Sequence, residues 1–120
     1  MEWHTQIEVK DFDVREFETN YLKEIGLIPE IIVRYRSTYF AHIFAGGYSA
    51  GYYGYTWAEV LDADAFQAFK ETSLFDQKTA LAFRQNILEK GGTDDPMKMY
   101  IAFRGHKPSI EPLLKGRGLN

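Results

Sequence analysis

Apolar residues recur along this 120-residue chain at helical spacing in several separate stretches, and polar or glycine-rich segments divide them. Residues 1–12 carry no clear period and read as an extended lead-in. Asp13 can cap a helix over Val14–Glu24, because its carboxylate can accept amide protons that the first turn leaves unpaired. Gly26 ends that helix and Pro29 discourages its continuation. The stretch Ile31–Phe44 is rich in β-branched and aromatic residues, and predicts extended chain with room for one short strand. A long helix is expected from about Ser49 to Glu71, with Trp57, Val60 and Leu61 on its buried face and Tyr53 turned toward the same core. Asp76 can cap the next helix, where Ala80, Phe83 and Ile87 repeat the pattern as far as Gly91-Gly92. Thr93 or Asp94 can open a helix running through Phe103 to Gly105. Ser109 can cap a last turn through Leu114, with Pro112 tolerated in its first turn. The fold class expected is all-α, mainly helical and in one domain, with an irregular Gly-rich loop.

Composition narrows the function. A chain of this length can bury roughly 65% of its unfolded surface, so an ordinary core is feasible. Net charge is −3 with Lys and Arg scattered, which argues against nucleic acid as a partner. No apolar run approaches the roughly 20 residues of a membrane span, so no membrane is expected either. Cysteine is absent, which removes disulfides, thiol nucleophiles and cysteine-based metal sites. The start, Met1-Glu2-Trp3-His4, does not read as a signal peptide, and compartment stays open. Eight Tyr, nine Phe and two Trp are an unusual share, many of them crowded between Tyr35 and Phe69.

That local excess centres on residues 42–55, where four Tyr and four Gly fall within fourteen residues. Each glycine costs about 1 kcal/mol relative to alanine inside a helix, so retained glycines point to close backbone approach or positive φ. On a helical wheel Tyr48, Tyr52, Tyr55 and Glu59 are spaced 4, 3 and 4 apart and share one face. Phenol hydroxyls in a row are neutral donors suited to a developing oxyanion, and His42 could join them. An aromatic stripe at this spacing equally suits core packing. Both readings fit the pattern.

The segment Phe40-Ala41-His42-Ile43-Phe44-Ala45-Gly46-Gly47-Tyr48-Ser49-Ala50-Gly51-Tyr52-Tyr53-Gly54-Tyr55-Thr56-Trp57 resembles the glycine- and tyrosine-rich loop of the thimet-oligopeptidase family of zinc peptidases, which includes oligopeptidases and peptidyl-dipeptidases. The likeness continues through residues 59–66, Phe83-Arg84, Ile87-Leu88, Gly91-Gly92, Asp95-Pro96, Phe103-Arg104-Gly105, Glu111-Pro112-Leu113-Leu114 and Gly118-Leu119. Upstream it takes in Tyr35-Arg36-Ser37 and Trp3-His4. The resemblance implies a C-terminal portion of an enzyme that hydrolyses short peptides in a channel between two helical halves. In that family an H-E-x-x-H helix and a downstream glutamate hold zinc, and the motif's glutamate is the general base. Carried over position by position, Tyr48 and Tyr55 would stabilise the transition state and His42 would be the loop's histidine. Tyr52 would touch substrate, while Gly46 and Gly47 would let the backbone approach it.

One departure is large. No H-E-x-x-H occurs, and the histidines are His4, His42 and His106 alone. The family's zinc motif lies upstream of the matched region, so the expected partners are short peptides and the preceding part of the same polypeptide. Zinc would belong to the whole enzyme, with no metal ligand here, and the chain alone is expected to be inactive. His106 reads as surface, and Arg34 and Arg36 read as solvated positions rather than readers of a substrate carboxylate. Apolar surface left without its other half would favour self-association, as in a domain-swapped dimer. A free-standing, non-catalytic peptide-binding module is the alternative, and a purely structural helical domain a third.

Overall fold

The computed structural model describes residues 1–8, 11 and 13–119. The chain divides into two compact units, Met1–Gly54 and Tyr55–Asn120. Among the described residues there are five α-helices and no strand.

The first unit is built on α1, Val14–Glu24. Asp13 caps it as expected, its Oδ1 accepting the Arg15 and Glu16 amides at 2.7 and 3.0 Å. These two bonds stabilise the carboxylate and hold the Asp13 pKa below the usual range. The helix closes in a Schellman arrangement: the Leu27 amide donates to the Leu22 carbonyl and the Gly26 amide to that of Lys23. That closure needs the left-handed φ of +80° found at Gly26. Upstream, Glu2–His4 forms one 3₁₀ turn where extended chain was expected. Val9, Lys10 and Phe12, also within that expected lead-in, lie outside the described residues.

Residues 31–44 form no strand: a bend at 34–35, a turn at 37–39 and a 3₁₀ turn at 41–43 break up the extended chain their composition suggests. β propensity measures fit to a pleated, half-buried surface, and no neighbouring strand supplies one here. Bonds between near neighbours take over, including Tyr39 N–H to Arg36 C=O and Phe44 N–H to Ala41 C=O, both 3.0 Å.

In the second unit, α2 spans Gly54–Glu71 and begins five residues later than the sequence suggests. The delay has a local cause. Ala50 adopts φ +54°, a left-handed conformation costing a non-glycine residue roughly 1–2 kcal/mol, which interrupts any helix from Ser49. The turns Gly51 N–H to Tyr48 C=O and Gly54 N–H to Gly51 C=O occupy the interval. Val60 is buried as predicted, but Tyr53 and Trp57 are 64% and 47% exposed and do not enter a core.

Helix α3, Gln77–Phe83, is capped by Asp76, whose Oδ2 accepts the Thr79 amide at 2.7 Å. It runs on into a π-helical turn, Arg84–Leu88, with Ala80 exposed rather than buried. For α4, Pro96–Arg104, the cap is Asp95 and not Thr93 or Asp94. Pro96 at N1 explains the shift: it lacks an amide proton and has a preset φ, so the residue before it becomes the cap. The last helix, α5, covers Glu111–Gly116 with Ile110 at the cap position. Ser109 stands one residue earlier than a cap would, its Oγ accepting the Glu111 amide at 3.2 Å.

Buried apolar side chains among the described residues number four: Val60, Ala68, Met99 and Tyr100, all in the second unit. At their centre lies a charge. Asp64 is 1% exposed and accepts a 2.6 Å hydrogen bond from the Tyr100 hydroxyl. Arg104 Nε donates to the Asp64 carbonyl at 3.0 Å, and its two terminal nitrogens grip Glu71 at 2.7 and 2.8 Å. Burial, and then the bond to Asp64, raises the Tyr100 pKa well above its ordinary 10.0. The Arg104 fork lowers that of Glu71.

These shifts act at both ends of the pH range of the second unit, together at the acid end with the lowered carboxyls of Asp76 and Asp94, held down by their bonds to Thr79 and Lys98. Glu71 has its lower pKa in the folded state, so its contribution is complete above the unfolded value of 4.5 and is lost as pH falls through the depressed one. Tyr100 has the opposite shift, and its contribution fades as pH rises past 10.0. Thermal melts of the chain should therefore show a plateau between about pH 5 and 9 with decline on each side. Replacing Glu71 by Gln should flatten the acid limb by a modest amount, since its side chain is 49% exposed. An unchanged acid limb in that variant would contradict the assignment.

Candidate functional site

The first unit gathers most of the residues that the sequence singles out. His42 sits on a 3₁₀ turn over Ala41–Ile43, and Tyr48 ends a second one over Gly46–Tyr48. Two backbone bonds join these turns: Ala45 N–H to Ala41 C=O at 2.9 Å and Ala50 N–H to Ile43 C=O at 3.4 Å. The His42 ring stands between two tyrosines, its centroid 5.7 Å from Tyr48 and 5.9 Å from Tyr52. Tyr52 meets Phe40 edge to face at 4.8 Å, and Phe40 stacks on Tyr35 at 4.9 Å. The Arg34 guanidinium lies 5.1 Å from the Tyr35 centroid. A continuous aromatic ladder results, and such pairs add about 0.5–1.5 kcal/mol each beyond area burial.

Ala41, His42, Ala45, Gly46, Gly47 and Tyr48 line an open pocket of about 350 Å³ beside this ladder. Gly46 needs its glycine, with φ at +73°. Gly47 does not: its φ is ordinary and a Cβ added there would meet nothing within 4 Å. Among the described residues, therefore, neither backbone conformation nor a close neighbour requires glycine at 47.

The single helical face proposed for Tyr48, Tyr52 and Tyr55 does not form. Tyr48 and Tyr52 belong to turns of the first unit, whereas Tyr55 is the second residue of α2 in the other unit. Glu59, the fourth member of that stripe, pairs with Arg117. The core-packing alternative loses ground as well, because Tyr48 and Tyr55 are each 44% exposed.

Two ionic clusters went unrecognised in the sequence. In the first unit, Glu18 on α1 is 8% exposed. Its Oε2 accepts both the Ser37 amide at 2.7 Å and the Ser37 hydroxyl at 2.9 Å, and Oε1 lies 2.6 Å from Arg36 Nε. Arg36 is therefore a partner of a buried carboxylate and not merely a solvated surface residue. The second cluster joins Asp64, Glu71, Tyr100 and Arg104. Its signal was present in the spacing: Asp64 and Glu71 are seven apart on α2, and Tyr100 and Arg104 four apart on α4, so each pair shares a helix face.

None of the three histidines stands in a metal-binding group. His4 lies 5.7 Å from the Phe44 ring, His42 lies between tyrosines, and His106 Nδ1 is 2.7 Å from the Lys107 carbonyl. Among the described residues no three His, Asp or Glu side chains gather as a metal site requires. The donor set does not fit a catalytic zinc ion.

Comparison with known proteins decides the family. The model of peptidase family M3 matches residues 1–119. The chain belongs to that family. Dipeptidyl carboxypeptidase of Salmonella typhimurium is 44% identical over all of this chain, which covers 18% of that protein. Oligopeptidase A of Escherichia coli is 49% identical over 67% of this chain and 12% of its own length. The probable cytosolic oligopeptidase A of Arabidopsis thaliana reaches 56% over 67% of the chain and 12% of its length. The chain thus spans less than a fifth of these curated relatives.

Proposed function

We propose that this chain is the substrate-facing, C-terminal part of a zinc metallopeptidase that hydrolyses short peptides. Membership of peptidase family M3 over residues 1–119 carries the proposal. Tyr48 and Tyr55 donate hydrogen bonds to the peptide carbonyl oxygen and hold them as that oxygen gains charge. His42 adds a further donor beside Tyr48. Tyr52 contacts the peptide, and the backbone at Gly46 and Gly47 lies close along it. The zinc ion and the general base belong to a preceding part of the polypeptide, because the donors for them are not found among the residues described here.

The thin core supports this placement. Phe44, Tyr48, Tyr53, Trp57 and Phe66 are each 44% exposed or more, which leaves apolar area for a preceding part of the polypeptide to cover. The same surface makes self-association part of the proposal for the chain on its own.

The test uses the pure chain with zinc and a short unstructured peptide. The expected outcome is no stoichiometric zinc by elemental analysis and no cleavage by mass spectrometry. Tightly bound zinc together with cleavage would overturn the division of labour proposed. The alternative is a free-standing peptide-binding module that uses the same loop, and the size of the native polypeptide separates the two.

A further inference from the structure

The geometry points to Glu18 as the positioning residue of the tyrosine loop, holding the aromatic ladder in place through Ser37 and Arg36. This rests on the proposal that the loop faces a peptide. Glu18 itself stands on α1 and is not part of the ladder, so it acts through others.

The connection can be followed bond by bond. Ser37 both donates its hydroxyl proton to Glu18 Oε2 at 2.9 Å and accepts the Trp3 indole N–H at 2.9 Å. Its amide also donates to Oε2, and Arg36 Nε approaches Oε1. Ser37 is thereby hydrogen-bonded twice to one buried carboxylate, and Arg36 is paired with it by charge alone. From there the chain is turn-bonded without a break: Arg36 C=O takes Tyr39 N–H, Phe40 C=O takes Ile43 N–H, and Ala41 C=O takes Phe44 N–H and Ala45 N–H. Phe40 carries the Tyr35 stack on one side and Tyr52 on the other. His42 and Ile43 follow, and Ile43 C=O receives the amide of Ala50 in the Tyr48–Gly51 turn.

The setting strengthens these bonds. Trp3, Phe17, Leu22, Phe40 and Ile43 help to line a cavity of about 140 Å³ beside Glu18 and Ser37, and Trp3 packs on Phe17 at 4.2 Å. Hydrogen bonds to a carboxylate are stronger where water is excluded, and a carboxylate left unpaired there is costly. A buried carboxylate whose polar partners, Arg36 and Ser37, both stand on the segment leading to the loop is expensive as mere packing. As a register pin it has a use, because it fixes where residues 36 and 37 sit along α1.

Three variants of the full chain test this: Glu18→Ala, Glu18→Gln and Ser37→Ala. The first readout is NMR, through cross-peaks between the His42 ring and the rings of Tyr48 and Tyr52. Glu18→Ala should abolish them, while signals of Tyr100 and Phe103 in the second unit stay in place. Glu18→Gln should restore them in part, since its side-chain carbonyl still accepts both Ser37 bonds while its amide nitrogen faces the Arg36 donor. Ser37→Ala, the mildest change, keeps the amide bond and should weaken them only in part. The second readout is binding of a short peptide, expected to weaken about tenfold in Glu18→Ala and to recover in part in Glu18→Gln. If the unaltered chain binds no peptide, the proposed function fails while the ring signals still decide the role of Glu18. If Glu18→Ala unfolds the first unit, Ser37→Ala and Glu18→Gln still rank the ring signals. Ring cross-peaks of undiminished strength in Ser37→Ala, or their loss in Glu18→Gln as complete as in Glu18→Ala, would overturn the assignment.

Discussion

Replacing Tyr48 by Phe, in the zinc-bearing polypeptide proposed above, should lower kcat about 10²–10³-fold. The change removes one hydroxyl and keeps the ring, so the 5.7 Å contact with His42 survives. Donors aimed at a developing oxyanion contribute about 2.7–4 kcal/mol each when water is excluded, which sets the size of the effect. A matching loss in kcat/KM, with KM little changed, would mark an interaction made in the transition state. Stability should hardly move, because Tyr48 is 44% exposed and contributes no buried core. Tyr55→Phe should behave in the same way. If either variant instead melts far below the parent and keeps its kcat, the tyrosines are packing residues and the site is misassigned.

The largest effect on stability is expected in the other unit. Asp64→Ala should destabilise the folded chain by about 3 kcal/mol, a drop in Tm of roughly 10–20 °C. Asp64 is the most deeply buried side chain described, and its removal leaves the Tyr100 hydroxyl only a long 3.4 Å bond to the Leu61 carbonyl. Arg104 keeps its fork to Glu71 and its bond to the Asp64 backbone carbonyl, which limits the loss. Tyr100→Phe should cost about 1–2 kcal/mol, because Asp64 then still has Arg104 Nε at 3.4 Å. A calorimetric scan in which the two variants match the parent would remove Asp64 from the account of the core.

Sequence periodicity located the helices well where a local chemical signal marks an end. Asp13 and Asp76 cap as expected because the bond they make is to amides two or three residues away, within reach of sequence reasoning. Gly26 and Gly105 likewise mark helix ends on their own. The start of α2 was not legible, since the deciding event is Ala50 entering left-handed φ, which no single-residue preference predicts. The tyrosine stripe failed for the same reason: its spacing assumed a helix that begins only at Gly54. Burial was also hard to read. A helical wheel places Trp57 beside Val60 and Leu61, but cannot tell which apolar faces find a partner within the chain. The Glu18 and Asp64 clusters depend on contacts 18 to 40 residues apart, and only the in-phase spacing on α2 and α4 hinted at one of them.

The central claim is that this chain supplies one wall of a peptidase site whose metal half is encoded upstream. The size of the native polypeptide tests it most directly, by immunoblot of the source cells with an antibody raised against this chain. The account predicts a single band several times heavier than the 13.9 kDa of these residues. A band at 13.9 kDa with nothing above it would contradict the account and leave the tyrosine loop as the binding surface of a free-standing module.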